Sequence, residues 1–446
     1  MRYDLIIKDG TIVTPEKTFK GDVAVKNGKI ENLGNVKKTD TADEVYNAKG
    51  LHILPGIIDA HVHFRDPGLT EKEDFETGSL AAAMGGITMI ADMPNVIPPT
   101  LSVEHLKNKI NIASEKSYVD FAFFALLNNE NTEQIEDLKL AGALGFKIFL
   151  GTSTGDIAAP SRVNLLRQME ECACLGMRIG FHCETSELND YYTNMFKNRE
   201  SYIGEAGILL NAARPVFSEA LAIQTAICYA QYTKARIHIH HITSADGAKM
   251  TADAKKKGID ITAETCPHYL FLNAKKNVQK VYPPIRDEIH RIRLWEAVKN
   301  GVIDMIASDH APHTIAEKSL PVWETPAGLC GVETSVPLML NEINKGNLTL
   351  QKYVSLASEA PAKIWGIYPR KGNLFPGADG DITIVDMKQK KKILANELHS
   401  KSKTSPYDGT DVQGFPVATI IRGNFIMKDG CLTGKKGYGL HIIREL

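Results

Sequence analysis

The sequence predicts an α/β protein, a TIM-like (β/α)8 barrel with a small composite β domain formed by the N- and C-terminal segments. Three observations predict it. Eight short apolar runs of strand character are spread through the middle of the chain, longer segments of helical periodicity separate them, and turn-punctuated β segments stand at both ends.

From Met1 to about Gly50 the chain reads as β throughout, with LIIKDGTIV and GDVAVKNGKIENLG broken by Asp-Gly and Asn-Gly turns of hairpin type. The eight runs are GIIDAHVHF (56–64), ITMIADM (87–93), DFAFFALL (120–127), GFKIFL (145–150), RIGFHCE (178–184), RIHIHHI (236–242), DITAETC (260–266) and VIDMIASDH (302–310). Between them lie segments such as SEALAIQTAICYAQYTKA (218–235), whose apolar residues recur at threes and fours. After the Lys-, Gly- and Pro-rich YPRKGNLFPG, which reads as a boundary, ADGDITIVD and VATIIRGNFIMKDG return to β. Neither end is long enough to hold a good core alone, so residues 1–54 and 370–446 are expected to pair into one domain beside a barrel of residues 55–369. The KQKKK run from Lys388 to Lys392 reads as a solvated turn.

Lys and Arg number 52 against 53 Asp and Glu, a formal net charge of −1, which excludes a nucleic-acid binder that works by bulk positive charge. With 43% hydrophobic and 24% charged residues, the chain can bury a large core. No apolar stretch is read as approaching the roughly 20 residues of a membrane span, and MRYDLIIKDG has no signal-peptide character, so a cytoplasmic protein without a membrane partner is expected. Its 7 cysteines are scattered without a C-x-x-C pair and are expected to be reduced, buried side chains.

Barrel chemistry belongs at the C-terminal strand ends. In the first run His61 and His63 alternate with Ala60 and Val62, so period two places both imidazoles on one face, where they can reach one ion. Asp59 is expected to support them by hydrogen bonding. Lys147 stands between Phe146 and Ile148, where an unpaired ammonium is costly to desolvate. A snorkelling lysine is one reading; the other is a carbamate, formed from the neutral amine and CO2, that bridges two cations. His182 ends the fifth run, His241 the sixth and Asp309 the eighth. Their convergence on one rim favours a binuclear zinc site. His238, His240 and His241 compete for the sixth-strand role; His241, last before the polar Thr243-Ser244, is preferred, and the other two are read as packing or supporting residues. Asp156 and Glu184 read as loop or hydrogen-bonding carboxylates, His268 and His290 as lying off the metal, and His52 as preceding the first barrel strand.

The segments HVHFRDPGLTEKEDFETGSLAAAMGGIT, DMPN, GFKIFL, GFHCE, HHIT, PPIR and SDHAPH, in this order, resemble the dihydroorotases of the cyclic-amidohydrolase group. The resemblance runs from about Pro55 to Glu333, and PGIIDAHVH with PGADGDITIVD is similar to that group's composite β domain. It implies that His61 and His63 hold one zinc and His182 and His241 the other, that N6-carboxylated Lys147 bridges the two Zn2+ ions, and that Asp309 ligates the first zinc and handles protons. Arg65, Asn95 and His313 would grip the substrate carboxylate, for which a guanidinium fork is the natural partner. Tyr282 in KVYPPIR departs from the pattern, which has asparagine there, and is an open substrate-binding position. GFKIFL resembles the lysine-bearing members and also allantoinases.

The implied activity is the reversible cyclisation of N-carbamoyl-L-aspartate to L-dihydroorotate in pyrimidine biosynthesis. The alternatives are an allantoinase or hydantoinase using the same metal chemistry, and an inactive barrel serving as a structural partner. Arg65 speaks against the first alternative, since a ring without a carboxylate does not need that cation. The filled ligand positions speak against the second. The partner expectations are a small-molecule substrate, a homodimer, and association with an aspartate transcarbamoylase.

Overall fold

The central strands are buried on both faces, as a parallel sheet covered by helices requires. The structure, a computed structural model, describes residues 1–151, 157–197, 206–275 and 279–445, so Asp156 lies outside the described residues. Ile57–Val62, Ile87–Asp92, Asp120–Leu126, Gly145–Phe149, Arg178–His182, Arg236–Ile239, Ile261–Thr265 and Met305–Ile306 each pair in parallel with the next, in chain order. Every predicted run contains one of them. The eighth is shorter than its run because the chain leaves the ladder near Asp309, whose φ of 46° is left-handed. His310 then bridges Val62 in parallel, and its carbonyl accepts from His63 N at 2.7 Å, which closes the ring.

The chain ends form one nine-stranded sheet. Its seam is His52–Pro55 from the N-terminal side running antiparallel to Ile382–Lys392 from the C-terminal side, with Ile382 opposite Pro55 and Val385 opposite His52. Leu5, Ile12, Val25, Ile53, Ile384 and Ile420 give this sheet a core of its own. The predicted solvated turn at Lys388–Lys392 is instead the end of a strand, with Lys390, Lys391 and Lys392 opposite Gln413, Val412 and Asp411. An antiparallel pair tolerates such a run because it can face water.

A buried ion cluster joins barrel and sheet. The Lys371 ammonium bonds Asp120 of the third barrel strand, Asp381 beside the sheet and Asp379, the last at 2.9 Å. Two other expectations are corrected. All seven cysteines are free, but Cys174, Cys228 and Cys431 are exposed, the first two on outer helices and the third in a short edge strand. Ala206–Thr233 does meet the length and apolarity of a membrane span, yet it is two helices broken at Arg214-Pro215 and half of its most apolar stretch is buried, packed against the sixth barrel strand and neighbouring helices.

Candidate active site and metal centre

Period two along the first strand, continued one residue beyond it, turns His61 and His63 toward the barrel mouth. There their Nε2 atoms approach Asp309 Oδ1 at 3.3 and 3.1 Å. Across the mouth, His182 Nδ1 stands 3.0 Å from His241 Nε2. Lys147 is buried in the same cleft, with Nζ 5.1 Å from the centre of the Phe149 ring and no ion pair among the described residues. These six side chains, with Arg65, Asn95 and Tyr282, line one cleft. His313 does not line it. That ring stands behind Arg65, donating Nε2–H to Ala327 O at 2.9 Å, while its Nδ1 lies 3.4 Å from the Lys72 ammonium.

Most of these rings are anchored by the nitrogen turned away from the cleft. His61 Nδ1 bonds Glu264, His63 Nδ1 donates to Asn95 Oδ1 at 2.7 Å, and His182 Nε2 donates to Glu184 Oε2 at 3.0 Å. Arg214 clamps Glu184 at 2.9 and 2.7 Å, and its guanidinium stacks 3.4 Å from the Tyr282 ring centre. Asp59 Oδ1 accepts from His61 N at 3.3 Å and Ser308 N at 3.0 Å, tying the first strand to the last. Such anchors fix which nitrogen carries the proton and where the other points.

Burial pushes the imidazoles of His61, His63, His182 and His241 below the ordinary histidine range, so they present neutral nitrogens. The Lys147 amine is likewise pushed down by burial, to about 8, against the pull of Glu264 and Asp309. Burial would raise the Asp309 carboxyl, but the neighbouring His63, His268 and Lys147 together outweigh it and hold the group below its usual value. Neutral imidazoles plus a carboxylate are the donor set for a zinc-type cation, and the facing nitrogens of His182 and His241 have lone pairs for one ion to share. The residues therefore fit two metal ions, one at His61, His63 and Asp309 and one at His182 and His241, with Lys147 lining the same cleft.

Arg65, His241 and Asp309 have φ of 62°, 38° and 46°, a region that costs a non-glycine residue about 1–3 kcal/mol. Three site residues share this strain because each side chain must turn back over the barrel mouth where a strand has ended. The same kink separates His241 from its neighbours: the sixth strand stops at Ile239, and His238 and His240 bond Glu264 instead. Gly180 makes that possible, since a Cβ there would lie 2.0 Å from His240 Nε2. His268 stays outside the two ligand groups but sits beside Asp309, within 4.8 Å together with Cys266. His290 Nδ1 accepts from Ala245 N, away from the cleft. Glu264 is the functional residue that sequence reading missed; its one signal is an acidic residue inside a strand otherwise fit for burial.

A barrel with this rim defines a metallo-hydrolase class, and the comparisons place the chain within it. The amidohydrolase family matches residues 52–426, and the chain belongs to that family. A solved L-hydantoinase (dihydropyrimidinase) from Arthrobacter aurescens superposes with a TM-score of 0.95 at 34% identity, covering 99% of this chain and 100% of that one. A dihydroorotase from Methanosphaera stadtmanae is 35% identical over 92% of this chain and 93% of its own length. An allantoinase from Deinococcus radiodurans is 33% identical over 97% of each.

Proposed function

We propose that the chain is a cyclic-amide hydrolase acting as a dihydroorotase, interconverting L-dihydroorotate and N-carbamoyl-L-aspartate. One observation carries the choice of substrate. Arg65 is only 1% exposed and forms no ion pair, and its Nη1 has no hydrogen-bond partner among the described residues, yet the side chain lines the metal cleft. Burial lowers it only to about 10, so it remains a cation. A buried guanidinium left this way calls for an anion, and the carboxylate on the dihydroorotate ring supplies one in bidentate geometry.

Two zinc ions held by His61, His63, His182, His241, Asp309 and N6-carboxylated Lys147 would supply Lewis-acid activation of water and of the ring carbonyl. Arg65 binds the substrate carboxylate, and Asn95, on the same wall, adds a hydrogen bond. His313 acts through Arg65 by filling the space behind it. In ring opening, water oxygen bonds the ring carbonyl carbon and the ring C–N bond breaks. Asp309 takes the proton released by the water and delivers it to the departing nitrogen. Ring closure uses the same groups in reverse.

A second reading, hydantoinase or allantoinase, is favoured by Tyr282, which puts a phenol where the dihydroorotase pattern has asparagine, and by the relatives carrying those names. Assaying the purified chain on dihydroorotate, hydantoin and allantoin side by side separates the readings. Turnover of dihydroorotate alone is expected, and turnover of hydantoin or allantoin alone would replace this assignment.

A further inference from the structure

Glu264, on the seventh barrel strand, is fully buried, and its two carboxylate oxygens gather four groups. Oε1 bonds His61 Nδ1, His240 Nδ1 at 3.0 Å and the backbone N–H of His241 at 3.3 Å; Oε2 bonds His238 Nε2 at 3.1 Å. One side chain thus touches a residue from each half of the metal centre. The other anchors serve one ring apiece, Asn95 holding His63 and Glu184 holding His182.

We propose that Glu264 is a positioning residue that sets the geometry of both metal sites at once, an inference that rests on the binuclear reading above. On the first side, an acceptor at Nδ1 of His61 keeps the proton there and leaves the Nε2 lone pair directed at the cleft, 3.3 Å from Asp309. On the second side, the bond to His241 N holds that residue in its left-handed conformation, φ 38°, and so aims its Nε2 at His182. His238 and His240 take up the remaining acceptor capacity and keep the carboxylate from swinging toward the cleft. Nothing else among the described residues bonds members of both pairs.

The test is zinc affinity of the metal-stripped full chain, measured by competition with a chromogenic chelator for the unmodified protein, Glu264→Gln and Glu184→Gln. The unmodified protein should take two zinc ions; fewer would overturn the binuclear reading and this inference with it. Given two, Glu264→Gln should weaken both sites by about 10- to 100-fold, whereas Glu184→Gln should weaken one. Unchanged affinities in Glu264→Gln, or loss at a single site, would overturn the inference and leave the binuclear reading standing. A third zinc in the unmodified protein that Glu264→Gln removes would make Glu264 a ligand and also overturn it. Should Glu264→Gln not fold, Glu264→Asp, which keeps the carboxyl group but withdraws the oxygens, should show the same two-site loss. Independently of any variant, imidazole 15N spectra of the stripped unmodified protein should show His61 protonated on Nδ1. A proton on Nε2 would overturn the inference.

Discussion

Arg65 Nη2 lies 3.4 Å from His313 Nε2, but that nitrogen already donates its proton to Ala327 O, so the ring packs against the guanidinium without accepting from it. Burial and the nearby Arg65 charge push His313 down to about 3, so it stays neutral across the working range of pH. His313 is therefore a wedge behind the cation. His313→Ala should raise KM for dihydroorotate by an amount worth about 0.5–1.5 kcal/mol while leaving kcat near its original value. Steady-state kinetics checks this, and a loss confined to kcat would give His313 a direct chemical role.

Lys147 is buried in the cleft that both ligand groups line and forms no ion pair among the described residues. Lys147→Ala should lose bound zinc and most activity, and short carboxylic acids should restore part of both by standing in for the carbamate. Elemental analysis beside the assay checks this. Unchanged metal content would leave the lysine a packing residue.

Asp309 is placed to carry a proton in both directions. Asp309→Asn should lower kcat by about 10²- to 10⁴-fold with dihydroorotate binding largely kept, because proton transfer is felt in the transition state. An effect confined to KM would assign the carboxylate to binding.

Lys371 is the cation shared by Asp120, Asp379 and Asp381 where barrel and sheet meet. Lys371→Met should cost about 3–5 kcal/mol of stability, the usual consequence of leaving buried carboxylates short of their partner. Burial would raise the Asp379 carboxyl, but Lys371, Lys29 and Arg370 hold it well below the ordinary range. Its contribution is therefore fully present above the ordinary carboxylate value of 3.8 and is lost as pH falls below it. Urea unfolding at several pH values should show the stability gap between the two proteins narrowing in acid.

The barrel was legible because each of its strands is a short run buried on both faces, and His61 and His63 because period two is a local property. His241 was reachable only by its place before a polar turn; the left-handed kink that separates it from His240 has no sequence mark. Glu264 escaped notice for a different reason. Its value lies in three histidines and a backbone amide from other strands, and only the closed barrel brings those together. His313 stands in a recognisable segment, but motif order does not say which side of Arg65 the ring occupies. The lysine run at 388–392 looked like a turn because charge reports solvation and says nothing of the ladder beneath it.

The central claim is that the buried cation at Arg65 selects a ring bearing a carboxylate. The most direct test is kcat/KM of the unmodified enzyme on dihydroorotate against dihydrouracil, the same ring without that group, repeated with Arg65→Met. We expect dihydroorotate to be preferred by at least about a hundredfold, within the roughly 2–5 kcal/mol for removing one partner of a buried charge pair, and the preference to collapse in Arg65→Met. Equal turnover of the two rings by the unmodified enzyme would contradict the assignment and move the chain among the hydantoinase-like members of its family.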